Sequence, residues 1–253
     1  MTQLKLLKAK EKTEKAVPVQ NRYRFEYKYL LTKCQKELLK VKIGDLLGID
    51  KNAVEHGGYN IRSIYLDNYK NTSLNQVING ISDREKYRIR FYNCDSSYIA
   101  LEKKKKTNNM TIKTSCKITK EQLENIINNK ELVISTENPE LLNELYLKMK
   151  TQRYKPVCII EYDRIPYIHN AGNVRITLDY NISVSYDFQN AFSENLAVLP
   201  IMNRDKALLE VKFNDFIPDF IRWRLQLNTL SRTSYSKYAK GRLMLNSVLK
   251  NNI

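Results

Sequence analysis

Histidine and cysteine are scarce, with two of one and four of the other in 253 residues. Cys34, Cys94, Cys116 and Cys158 are scattered, with no close pair. That excludes a dense disulfide framework and a structural zinc site, and it makes a reducing cytoplasm the expected setting. Seven glycines and six prolines are too few for a low-complexity chain. No apolar run reaches the length of a membrane span, and the N-terminus lacks the apolar core of a signal peptide. No internal repeat and no low-complexity linker divides the chain, so one domain over residues 21–253 is expected. Ahead of it lies a lysine-rich segment, residues 1–20, read as a basic flexible arm.

Positive charge is abundant. Lysine and arginine number 43 against 27 acidic residues, a formal net charge of +16. That balance points to a polyanionic partner: nucleic acid, an acidic membrane, or a phosphate-rich small molecule or polymer. Seventeen tyrosines favour strand-rich structure.

The most informative stretch is Arg84 to Lys106, REKYRIRFYNCDSSYIALEKKKK. Two strand-like runs flank a polar break at Asn93 to Ser97, which reads as a hairpin. Strand side chains alternate with period two, so Lys86, Arg88 and Arg90 share one face while Tyr87, Ile89 and Phe91 share the other. In the second run Glu102, Lys104 and Lys106 fall together. Either these charges face bulk water or they line an interior built to hold an anion.

Further strands are expected at 22–31, 59–67, 110–118, 156–168, 173–179, about 182–188, and 206–213. Thr32 with Gln35, and Thr119 with Gln122, have capping-box spacing and start helices. Leu38, Leu39, Ile43, Leu46 and Leu47 are expected to form the apolar stripe of the first of these. Asn138-Pro139 predicts a cap followed by a helix over 139–151. A helix from Pro218 to about Leu230 is expected to pack through Phe220, Ile221, Trp223 and Leu227, and the chain after Ser236 reads as helical. The strands 156–168, 173–179 and 206–213 also carry charge on one face, including Arg164, Arg175, Asp179, Glu210 and Lys212. Unpaired ions on the inner face of a sandwich cost several kcal/mol each. About eight mostly antiparallel strands are enough to close a barrel, and a barrel enclosing a polyphosphate would use the charge. Tyr65, Tyr87 and Tyr162 read as core or wall. The expected fold is therefore α+β, a closed eight-stranded antiparallel β-barrel, or tunnel, flanked by helices.

The fragments RFEYKY, SIYLD, YRIRFY, ALEKK, EYDR, VRITLD, LLEVKF and SKYAKG occur in an order that resembles VTC-type polyphosphate polymerase domains. These belong to the triphosphate tunnel metalloenzyme superfamily, and the resemblance covers about residues 22–245. It implies phosphate ligands at Lys28, Arg88, Arg90, Lys104, Arg164 and Lys212, with Arg175 and Lys113 beside them. Ser236, Lys237 and Tyr238 match the helix that closes one tunnel mouth over the phosphates. Glu210 matches the carboxylate that holds the metal, Mn2+ or Mg2+, and Glu26, Glu102 and Asp179 would orient basic partners or metal-bound water. The wider superfamily's ExExK signature reads Arg24-Phe25-Glu26-Tyr27-Lys28 here, so its first acid is absent, which favours the VTC branch over the thiamine triphosphatase and adenylate cyclase branches.

The implied activity is transfer of the γ-phosphoryl group of ATP to a growing inorganic polyphosphate chain. Two alternatives stay open: a metal-dependent tri- or polyphosphatase, and a non-catalytic module that binds polyphosphate or a phosphorylated protein. The resemblance allows a membrane-protein partner, with the chain itself cytoplasmic at the inner face of a membrane. Nucleic acid is disfavoured as a partner, because single-strand binders present aromatic rings and charge on the same face, and here they alternate. Phosphoryl transfer needs positioning and charge neutralisation, so the lack of a Ser-His-Asp or Cys-His nucleophile is no objection.

Overall fold

The computed structural model describes residues 24–50, 53, 57–107 and 110–250. The basic arm expected over 1–20 lies outside the described residues.

Among the described residues ten strands and six α-helices follow in chain order: β1 (Phe25–Thr32), α1 (Lys33–Gly44), β2 (Gly48–Ile49), β3 (Tyr59–Asp67), α2 (Thr72–Ile78), β4 (Arg84–Tyr92), β5 (Asp95–Thr107), β6 (Met110–Ile118), α3 (Lys120–Asn128), α4 (Glu140–Gln152), β7 (Lys155–His169), β8 (Val174–Ser185), β9 (Leu199–Pro200), β10 (Lys206–Phe213), α5 (Asp219–Leu225) and α6 (Lys237–Lys250). One sheet joins the strands, all antiparallel, in the order β1-β10-β8-β7-β3-β4-β5-β6, with β2 added beside β7 and β9 beside β8.

The expected closure is the point at which the structure differs. Among the described residues no ladder joins β6 to β1, so the sheet is a strongly curled trough and its hydrogen bonds do not complete a barrel. The outer edge of β1 is occupied by another segment: the Thr233 N–H donates to Lys28 O at 2.9 Å, and Arg232 bridges Tyr29. Side chains span the opening, where Lys104 of β5 donates to Glu26 of β1 at 2.9 Å.

Two apolar cores lie outside the trough, and a third, with Ile61, Ile160, Val184 and Leu208 under Tyr238 and Ala239 of α6, fills one end of its inner face. Tyr87, Ile89, Phe91, Ile99 and Leu101 on β4 and β5 pack under α3 and α4. Helix α4 supplies Leu141, Leu142, Leu145, Tyr146 and Met149, a period near 3.6. Each contributes about 1.5–3 kcal/mol by leaving water. On the other side Tyr29, Leu31, Ile176, Leu178, Leu209 and Val211 pack under α1 and α5.

Both capping boxes form as the spacing predicts, Thr32 with Gln35 and Thr119 with Gln122. Of the α1 stripe, Leu39, Ile43 and Leu47 are buried, but Leu38 and Leu46 are exposed. Asn138 does not cap α4; its side chain donates to Val133 O and Asn143 Oδ1, and Pro139 takes the cap position. Helix α5 stops at Leu225 because Gln226 turns left-handed (φ 51°); Ile221 and Leu225 are buried, whereas Phe220 is exposed and Trp223 is 73% exposed. The strands expected at 173–179 and 182–188 are one strand, β8, which passes through Asn181 at φ 52°. Among the described residues no helix is long and apolar enough to cross a membrane.

Candidate anion site

Alternation puts the charges inside the trough. In register, Glu26 faces Lys212, Lys28 faces Glu210, Arg175 faces Lys212, and Arg164 faces Asp179. Further round, Arg88 faces Glu102 and Lys86 faces Lys104. Directly opposed residues project to the same face, so these side chains converge.

They enclose a cavity lined by Glu26, Lys28, Tyr65, Lys86, Arg88, Arg90, Lys104, Tyr162, Arg164, Glu210, Lys212, Ser236, Lys237 and Tyr238. Most of the expected site therefore comes together. Tyr65 and Tyr162, expected as core or wall, are wall. Helix α6 covers one end, and its closeness depends on Gly241. A β-carbon there would lie 2.4 Å from Ile160 Cδ1 and 3.1 Å from Val184 Cγ2.

Glu210 is the centre of the charge network. Its carboxylate meets Lys237 at 2.9 Å, Lys212 at 3.3 Å, Arg164 at 3.5 Å and Lys28 at 3.7 Å. Burial opposes its ionisation, yet Lys237, Lys212, Lys28 and Arg164 together hold its carboxyl well below the usual carboxylate range. Glu26 is held low in the same way, with burial outweighed by Lys212, Lys28 and Lys104. Arg164 makes a bidentate pair with Asp179, Nε to Oδ1 at 2.6 Å and Nη2 to Oδ2 at 2.7 Å. Lys237 contacts the same carboxylate, and burial is outweighed by Asp179 and Glu210 in raising its ammonium above the ordinary lysine value. Arg88 Nε donates to Glu102 Oε2 at 2.6 Å. Arg90 is braced by two hydroxyls, Ser63 Oγ at 3.1 Å and Tyr162 Oη at 3.0 Å.

Four expected residues are placed differently from the rest. Arg175 shares the inner face, but its guanidinium is tied to Asp50 at 3.0 Å and the Tyr59 hydroxyl at 3.1 Å and does not line the cavity. Lys113 lies on the adjoining strand and donates to Glu102 Oε1 at 2.7 Å. The Tyr238 ring stacks on Tyr65, with centroids 4.9 Å apart, while its hydroxyl turns away and donates to Asp67 Oδ2 at 2.7 Å. Ser236 lines the cavity and its hydroxyl accepts from Ala239 N at 3.4 Å, as a helix cap.

Two features escaped sequence reasoning. Lys86 lines the cavity; its place on the Arg88–Arg90 face was the available signal. Asp67, fully buried, accepts from Asn68, Ser73 and Leu74 N–H groups and from Tyr238, so it fastens β3, α2 and α6 together. Nothing in the sequence links Asp67 to a tyrosine 171 positions away.

Among the described residues no cluster of three or more histidine, cysteine or acidic side chains could hold a metal on its own. A hard divalent cation, however, needs only one or two carboxylates when phosphate oxygens and water complete its shell. Glu210, with Glu26 sharing Lys28 beside it, fits that requirement.

The chain matches the family model of the VTC domain over residues 23–246. No curated protein matches it. Among solved structures, a protein provisionally called an adenylate cyclase from Bacillus halodurans is 14% identical, with TM-score 0.49, covering 85% of this chain and 94% of that one. The PH1819 protein of Pyrococcus horikoshii is 13% identical, TM-score 0.45, with 89% and 99% covered. The Mimivirus capping enzyme triphosphatase is 11% identical, TM-score 0.39, with 82% and 87% covered.

Proposed function

The chain belongs to the VTC domain family, and on that premise we propose that it is a polyphosphate polymerase, which moves the γ-phosphoryl group of ATP onto the end of an inorganic polyphosphate chain. One observation carries the reading. Eight cationic side chains line the cavity, Lys28, Lys86, Arg88, Arg90, Lys104, Arg164, Lys212 and Lys237, against four carboxylates on or beside it, Glu26, Glu102, Asp179 and Glu210. The excess of positive charge in a confined site costs several kcal/mol of repulsion even at an effective dielectric of about 20. A string of phosphates relieves it, and a neutral ligand does not.

In the proposed reaction the bond between Pγ and the β–γ bridging oxygen breaks and ADP leaves with that electron pair. A terminal oxygen of the polyphosphate forms the new bond to Pγ. That oxygen is already anionic, so no general base is required. Arg88, Arg90 and Arg164, fixed by Glu102, Ser63, Tyr162 and Asp179, present guanidinium forks to the phosphate oxygens. Lys28, Lys104, Lys212 and Lys237 neutralise charge that builds on the transferring and leaving groups. Glu210, with Glu26, would hold a divalent cation, Mn2+ or Mg2+, which supplies further charge neutralisation on phosphate oxygens.

The test is incubation of the whole chain with ATP and either cation, followed by gel separation of polyphosphate and assay of ADP. Polyphosphate accumulating with equivalent ADP is the expected result. Orthophosphate as the only product would replace the polymerase by a hydrolase, and binding of tripolyphosphate without any turnover would reduce it to a capture module.

A further inference from the structure

Lys86 differs from every other cation around the cavity. Lys28, Arg88, Lys104, Arg164, Lys212 and Lys237 each touch a carboxylate, and Arg90 rests on two hydroxyls. Among the described residues Lys86 has neither a carboxylate nor a hydrogen bond; its nearest partner is the Tyr238 ring, whose centre is 5.9 Å from Nζ. It stands opposite Lys104 of β5 in register. The remaining charged and titratable groups around it are Lys28 of β1, Arg84 and Arg88 of its own strand, and the lining tyrosines Tyr65 of β3 and Tyr238 of α6. Glu26 lines the same cavity but is engaged by Lys28 and Lys104.

We propose that Lys86 is a phosphate contact that takes up its proton as the anion arrives, so that binding of a phosphate chain draws a proton from solvent and weakens as the medium becomes alkaline. The inference rests on the reading of this cavity as a phosphate site. Its basis is the electrostatics of an ammonium group with no counter-charge: burial, reinforced by Lys104, Lys28, Arg88 and Arg84, lowers Lys86 from the usual lysine value to about 7. An anion beside the same nitrogen favours its charged form and raises that value again. Between the free and bound values, binding and protonation are one event. Lys104 is also lowered, by burial with Lys212 and Lys28, but Glu26 opposes the shift.

The experiment is calorimetry of the whole chain with inorganic tripolyphosphate, without metal and at fixed salt. Two buffers of different ionisation enthalpy are used at each of about pH 6 and about pH 8.5, bracketing the free Lys86 value. Subtracting the Lys86→Met result from that of the native chain removes protons exchanged by the ligand itself. The expected native result is net uptake attributable to Lys86 at the higher pH, almost none at the lower, and affinity that falls about tenfold or more between them. Lys86→Met should bind about tenfold more weakly at the lower pH and lose that uptake. Lys86→Arg, charged throughout, should keep its affinity at the higher pH with no uptake; a residue acting only through packing would not show this rescue. Identical proton exchange in the native chain and Lys86→Met would overturn the inference while leaving the phosphate site intact. Failure of the native chain to bind tripolyphosphate at either pH would overturn the reading of the cavity itself.

Discussion

Replacing Glu210 by glutamine separates the stability of the empty protein from its affinity for an anion. Four cations, Lys237, Lys212, Arg164 and Lys28, lie within 3.7 Å of this buried carboxylate. The amide keeps size and one acceptor but removes the charge those cations share. Breaking a buried ion pair from one side costs about 3–5 kcal/mol, because the surviving charges stay buried. In a chain of this size about 1 kcal/mol corresponds to roughly 2–4 °C in Tm, so Glu210→Gln should melt about 10 °C lower. Tripolyphosphate restores the missing negative charge. Its affinity in the absence of metal should rise about tenfold or more, since a charge about 6 Å from a phosphate at an effective dielectric of about 20 contributes roughly 2–3 kcal/mol before screening. The added ligand should then raise Tm more in the variant than in the native chain, as linkage requires. Turnover of ATP should collapse, because the carboxylate proposed to hold the cation is gone. Thermal melts with and without tripolyphosphate in the presence of a chelator, alongside the gel assay, read all of these outcomes. An unchanged Tm together with full metal-dependent activity would show that Glu210 neither balances the cations nor holds the metal.

Tyr238→Phe removes a hydrogen bond to a buried carboxylate and should destabilise by about 1.5–3 kcal/mol in chemical denaturation. Tripolyphosphate affinity should change little, because the hydroxyl faces Asp67 and not the cavity. Arg88→Ala should weaken tripolyphosphate binding by tenfold or more, whereas Arg175→Ala, already tied to Asp50 and Tyr59, should weaken it only a few-fold; isothermal titration ranks the two. Glu26, Glu102, Asp179 and Glu210 all have lowered folded pKa values: burial opposes ionisation in each, and neighbouring cations overcome it. Their stabilisation is therefore fully present above the unfolded carboxylate values, near 4, and is lost as pH falls through the lower folded values. Circular dichroism at decreasing pH should show a native plateau down to about pH 4 and steep loss below it. Glu210→Gln should shift that transition upward.

Local signals carried most of the element assignments. The two capping boxes need only residues three apart, and both form. Period-two alternation placed Arg88, Arg90, Lys104, Arg164, Glu210 and Lys212 on one surface, because pairing transmits facing from strand to strand. Information that depends on distant pairings was not legible. The contacts of Arg232 and Thr233 with the edge of β1 join segments about two hundred residues apart, and no local pattern marks them. Tyr180-Asn181 looked like a strand break, yet the chain bends there and continues, with the Asn181 amide donating to Asp163 Oδ2 at 2.7 Å. Arg175 had the right face for the site, but Asp50 and Tyr59 hold its guanidinium aside. Lys86 had the right face too; its isolation from every carboxylate depends on where the other cations found partners.

The bridge from Lys104 to Glu26 gives the trough the mechanics of a hoop closed by an ionic clasp. Backbone ladders make the rest of the circumference stiff, while the seam between the first and sixth strands of the chain-long sheet is spanned by charge. Salt slackens such a clasp by screening it, whereas the hydrogen-bonded remainder is indifferent to salt. A phosphate chain bound as proposed would compete with Glu26 for the same Lys104 ammonium. Ionic strength and a phosphate chain bound as proposed would therefore act on one and the same contact, the pair that spans the seam.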